Sequence, residues 1–104
     1  MNKLQSYLGI ARKANFLIIG SDNLKDYHKK LYLVICSKNL SNTIEKVIKE
    51  KTTEYQNLIC IISNEDFSSS IGVNECKIVG VKNKGIADAI IKSEDCYTLY
   101  NISK

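Results

Sequence analysis

The chain has no proline and no tryptophan, one histidine, and five glycines in 104 residues. Each scarcity excludes a class of function. The lone His28 stands beside Lys29 and Lys30, and neighbouring cations disfavour its protonated form. No serine or cysteine lies near it in sequence to act as a nucleophile. The four cysteines, Cys36, Cys60, Cys76 and Cys96, form no Cys-x-x-Cys pair and have no adjacent histidine, so no metal site is expected. Three lie in or beside apolar runs, where a thiol behaves as a small hydrophobe, and Cys96 near the end is expected to be the most exposed. The glycines form neither Gly-x-Gly-x-x-Gly nor a Walker loop. Glu65 and Asp66 are adjacent, so on a helix they diverge by about 100° and do not form an opposed acid/base pair. No catalytic residue and no cofactor is expected.

Long apolar segments are missing too. The longest runs, residues 31–36 and 58–62, fall far short of the roughly 20 residues needed to cross a bilayer. The opening Met1-Asn2-Lys3-Leu4-Gln5-Ser6 lacks the apolar core of a secretory signal. A cytoplasmic protein without membrane contact is expected. There is no internal repeat or low-complexity segment, and two halves of such a chain would each be too small to bury a dependable core. The expectation is therefore a single domain over residues 1–104, with a core at about 3–92 and an unplaced tail at 93–104.

What is present is an alternation of helical and strand patterns. Leu4, Tyr7, Leu8 and Ala11 mark one face of a helix over 3–13, with Lys3, Arg12 and Lys13 off that face. A brief strand, 16–19, ends at Gly20. Ser21, Asp22 or Asn23 then caps a short helix that runs to about His28-Lys29-Lys30. Residues 31–36 are continuously apolar, as in a central strand buried on both faces. A third helix carries Ile44, Val47, Ile48 and Tyr55, with Asn42 and Glu45 at capping-box spacing. Its charged face of Lys46, Lys49, Glu50 and Lys51 reads as solvated. Residues 58–62 repeat the buried-strand pattern. Asn64-Glu65-Asp66 leads into a short helix with Phe67 and Ile71, Gly72-Val73-Asn74 turns the chain, and 76–81 forms a last core strand. A final helix opens at Lys84-Gly85. Strands interleaved with helices need crossover connections, which points to an α/β fold: a three-layer α/β/α sandwich with a mixed four-stranded sheet.

Charge is unevenly distributed within a net +4. Residues 1–52 carry ten basic and four acidic side chains, or +6, and residues 53–104 carry five and seven, or −2. A polyanion would dock on the basic half. A loop entering a helix offers amides and short polar side chains to exposed base edges, as found in structured RNA.

Three stretches in order resemble one family. Tyr7-Leu8-Gly9-Ile10-Ala11-Arg12-Lys13-Ala14, with Gly20 following, resembles the opening of the bacterial YlxQ-like branch of the ribosomal L-seven-Ae / L-thirty-e / S-twelve-e superfamily. Leu33-Val34-Ile35-Cys36-Ser37-Lys38-Asn39-Leu40-Ser41-Asn42-Thr43 resembles its second strand and following turn. Ser70-Ile71-Gly72, then Ile78-Val79-Gly80-Val81-Lys82-Asn83-Lys84-Gly85-Ile86-Ala87, resembles its closing strand and helix start. The likeness spans about 3–92. It implies a monomeric, non-enzymatic, ribosome-associated protein that binds kink-turn RNA, in rRNA or mRNA. By position, the implied RNA-binding residues are Gly20, Ser21, Asp22, Asn23, Lys25 and Lys29, then Ser70, Ile71, Gly72 and Val73, with Lys38 and Asn39 on a flanking turn. The chain departs from the family's Gly-x-Asn-Glu-x-x-Lys at Asp22, Asn23 and Asp26. An ionised carboxylate only accepts hydrogen bonds. These departures motivate the alternative of a protein-interaction or regulatory module on the same fold that has lost kink-turn affinity.

Overall fold

The structure is a computed structural model that describes residues 2–100. Helix α1 (Lys3–Lys13) starts at a reciprocal cap: Gln5 N donates to Asn2 Oδ1 at 2.8 Å, and Asn2 N donates to Gln5 Oε1 at 3.0 Å. Two otherwise orphaned amides are thereby satisfied. Then come β1 (Leu17–Ile19), α2 (Ser21–Lys25), β2 (Leu33–Cys36), α3 (Asn42–Glu54), β3 (Ile59–Ser63), a 3-10 turn (Ser69–Ile71), β4 (Ile78–Val81), α4 (Lys84–Ile91), a second 3-10 turn (Glu94–Cys96) and β5 (Tyr97–Leu99).

The five strands lie in the order β1-β4-β2-β3-β5. Only β2 and β3 run parallel, joined through α3 as a crossover connection requires; the other pairs are antiparallel. The expectation of a central strand at 31–36 holds, since β2 occupies the middle position and is buried throughout. Alternation along the strands separates two apolar clusters. Leu33, Ile35, Ile61, Val79 and Val81 meet α1 and α4 through Leu4, Leu8, Ala11, Ala87 and Ile90. On the other face, Val34, Cys36, Cys60 and Ile78 meet α2 and α3 through Leu24, Ile44, Val47 and Ile48. Gly80 faces this second layer: a Cβ there would come within 2.8 Å of Leu24 Cδ1 and 2.9 Å of Leu31 Cδ1.

Several expectations are corrected. The sheet has five strands, not four, because residues 97–99, assigned above to an unplaced tail, pair antiparallel with β3. The folded core thus extends beyond residue 92. Cys96 is buried at 5% exposure, since it sits under that strand. Helix α2 ends at Lys25, well before Lys30, and the Phe67 segment forms only one 3-10 turn. Ser41 rather than Asn42 caps α3, accepting from Ile44 N at 3.2 Å. Lys51 is not solvated: it is 1% exposed, with its amine bonded to the Tyr27 carbonyl and to Glu54 Oε1 at 3.2 Å. Among the described residues, no helix is long and apolar enough to cross a membrane.

Candidate nucleic-acid interface

The antiparallel pairing of β4 between β1 and β2 brings three connections to one end of the sheet. The end of β1 meets the start of β4, where Gly20 N donates to the Ile78 carbonyl at 3.0 Å. The end of β2 meets the same point, with Ser37 N donating to the Lys77 carbonyl at 2.8 Å. Gly20 has φ +92° and ψ 155°, a region essentially restricted to glycine. That geometry turns the chain directly from β1 into α2. Asn23, one turn on, donates from Nδ2 back to the Ile19 carbonyl at 2.9 Å and fixes the corner.

The second expected element is a closed loop. Ser68 Oγ accepts from Cys76 N at 2.8 Å and lies 3.3 Å from the Cys76 carbonyl, to which it donates. Its own amide donates to Asp66 Oδ1 at 3.0 Å, a contact that holds the Asp66 carboxyl below its ordinary range. This clamp leaves Gly72 exposed and left-handed at φ +74°, with Ser70 and Val73 half-buried, whereas Ile71, expected above as an RNA contact, is 2% exposed and packs into the core with Leu4, Leu8 and Phe67 instead. Helix α1 lies against this loop at Gly9, where a Cβ would meet the Ser70 carbonyl at 3.4 Å, an ordinary contact distance.

The expected residues are thus partly assembled. Gly20, Ser21 and Val73 line one cleft of about 370 Å³, which is completed by Ser41, Thr43 and Lys77. Asn23 and Val73 line a second groove of about 530 Å³ with Arg12 and Tyr27. Ser70, Ile71 and Gly72 line a third of about 650 Å³, against α1. Lys38 and Asn39 stand at the same end of the sheet, but in a separate cleft of about 290 Å³ with Asn64, Glu65, Asp66 and Glu75. Asp22 and Lys25 are exposed on α2. Lys29 lies elsewhere, where the Tyr55 hydroxyl at the end of α3 donates to its carbonyl. Nearby, His28 Nδ1 pairs with Glu54 Oε2 at 2.9 Å, which lowers the Glu54 pKa.

Sequence reasoning did not assign Arg12 and Lys13 to the site. They read there as the solvated side of an amphipathic helix, and only their packing beside the 70–73 loop reveals the juxtaposition. Among the described residues, no group of three or more His, Cys, Asp or Glu side chains converges as a metal site would require.

No family model matches the chain, and no curated protein matches it. A solved structure of a protein with unknown function from Bacillus halodurans C is similar, with a TM-score of 0.78 and 24% identity over 91% of this chain and 99% of that one. At that identity the likeness establishes a shared fold alone.

Proposed function

We propose that this chain, a three-layer α/β/α sandwich, is a non-enzymatic, cytoplasmic, ribosome-associated protein that binds structured RNA of the kink-turn type. The observation carrying this reading is that Val73, from the second element, borders both clefts lined by the Gly20–Asn23 corner. A polar corner at Ser21, Asp22 and Asn23 beside the apolar surface of Val73 and exposed cations suits a distorted RNA, whose bulge exposes base edges that a regular A-form helix hides. The resemblance in residues 3–92 assigns RNA contact to the same two elements.

The test is a titration of the protein against a kink-turn RNA and a straightened control at physiological salt. Tighter binding to the kink-turn is expected, with Lys25→Glu weakening it. Equal affinity for both RNAs removes the kink-turn claim, and no binding to either removes the RNA reading. A second reading, a protein-interaction module on this fold, draws on exposed Asp22 and Asp26, which repel phosphate at the first element. Loss of all RNA binding favours that reading.

A further inference from the structure

The groove between α1 and the 70–73 loop is distinguished by charge. Its lining includes Gln5, Ser6, Ile10, Ser69 and Ser70, and its only charged members are Arg12 and Lys13. The cleft containing Lys38, in contrast, has three carboxylates, Glu65, Asp66 and Glu75. Arg12 and Lys13 occupy the last turn of α1, where the helix dipole favours cations. Among the described residues, no carboxylate lies within ion-pair distance of either. Ser70 Oγ is buried in the groove wall without a hydrogen-bond partner. An unpartnered buried hydroxyl is costly unless something satisfies it.

Arg12 also lines the adjoining groove with Asn23 and Val73. It therefore forms the passage between the corner of the proposed RNA site and the groove along α1. A chain crossing from one to the other meets two cations and then the exposed hydroxyls of Ser6 and Ser69, with exposed Ile10 at 55% providing an apolar face, while Gln5 is held by Asn2 and the Asp66 carbonyl. That sequence of groups matches a sugar-phosphate backbone: phosphates for the guanidinium and ammonium, ribose hydroxyls for the polar wall. At the opposite end of α1, Asn2 Nδ2 donates to Glu65 Oε2 at 3.1 Å, and Glu65 lies in the separate cleft with Lys38.

We infer that the α1 groove is a phosphate-backbone track for RNA, entered at Arg12, that extends the footprint beyond the Gly20–Asn23 corner along the first helix. This rests on the RNA reading above. The experiment measures affinity of the full chain for the kink-turn RNA carrying a single-stranded extension, across a salt series. Wild type, Arg12→Ala/Lys13→Ala, Arg12→Lys and Lys49→Ala are compared. The double variant is expected to bind roughly tenfold or more weakly, the size of a lost charge-assisted contact. Its salt slope should be shallower by about two, one unit per phosphate contact. Arg12→Lys, which keeps the charge, should retain the wild-type slope, and Lys49→Ala, on the opposite face of the sheet, should change nothing. All three positions, Arg12, Lys13 and Lys49, are exposed to solvent, and circular dichroism checks that each variant folds. If wild type binds the RNA and the double variant matches it in affinity and slope, the track is overturned while the RNA reading stands. If wild type binds no RNA at all, both fall.

Discussion

A lysine with 1% exposure is tolerated only where its charge is answered. Lys51 meets that condition through the Tyr27 carbonyl and Glu54, with the Tyr55 ring 5.9 Å from its amine. Its methylene stem packs while its head pins the loop after α2 onto α3. Replacing it with methionine keeps most of the volume but leaves the Tyr27 carbonyl without that partner. Lys51→Met should cost about 1–3 kcal/mol, and Lys49→Ala, an exposed neighbour on the same helix, less than about 0.5 kcal/mol. Urea denaturation of the two variants measures this directly; equal midpoints would mean that the buried amine contributes nothing. Its charge, not its spacing, placed Lys51 among the solvated side chains, since positions 44, 47, 48 and 51 form one helical stripe. Residue type does not reveal that a loop 24 residues away will close over a lysine at the end of that stripe.

Among the elements, β5 carries the largest correction. Residues 96–102 have strand-like composition but no place in the sheet from sequence alone, and Tyr97–Leu99 became an edge strand because β3 had an open side and because Cys96 and Tyr97 fill the layer beneath. The Tyr97 hydroxyl, moreover, reaches the Ile91 carbonyl at the end of α4. Truncation after Lys92 removes buried Ser93 and two buried core side chains, Cys96 and Tyr97, the latter two each contributing on the order of 1.5–3 kcal/mol, against a total stability of about 5–15 kcal/mol for such domains. The shortened chain should lose its cooperative thermal transition, or melt far below the full chain, when followed by circular dichroism. An unchanged midpoint would reduce β5 to an appendage. The long, strongly patterned elements α1, α3 and β2 were legible in sequence because each buries one continuous stripe or run. Of the short ones, α2 was legible at its start but not at its end, and the pairing of β5 and the single 3-10 turn after Phe67 were not legible, because in three to five residues local preference is weaker than the contacts made elsewhere.

At the scale of the whole molecule, titration should confine stability to a middle range of pH. Glu54, hydrogen-bonded to His28, and Asp66, accepting from Ser68, have folded pKa values below their ordinary 4.5 and 3.8. Their contribution is present above those values and is lost as pH falls through the folded ones. Burial pushes the Cys36 thiol up to about 11 and the Cys60 thiol up to about 12, from 9.0. Their contribution is complete below pH 9 and declines as pH rises towards the folded values. Urea midpoints should therefore be flat between about pH 5 and 9 and fall on both sides, with Cys60→Ala flattening the alkaline limb. An alkaline limb unchanged in that variant would assign the loss to other groups, such as the tyrosines.

The amino-acid sequence alone determined the alternation of helices and strands, the central place of residues 31–36 and the basic balance of the first half, since these follow from local pattern and composition. Which charges share a surface was decided only by the tertiary structure. Strand β4, from the acidic half, inserts between β1 and β2 of the basic half. Glu75 and Lys77 thereby come to border Gly20, and the 70–73 loop lies beside Arg12 and Lys13. These neighbours are some 60 residues apart in sequence, and such pairings arise from sheet order and buried apolar contacts, which no local pattern encodes.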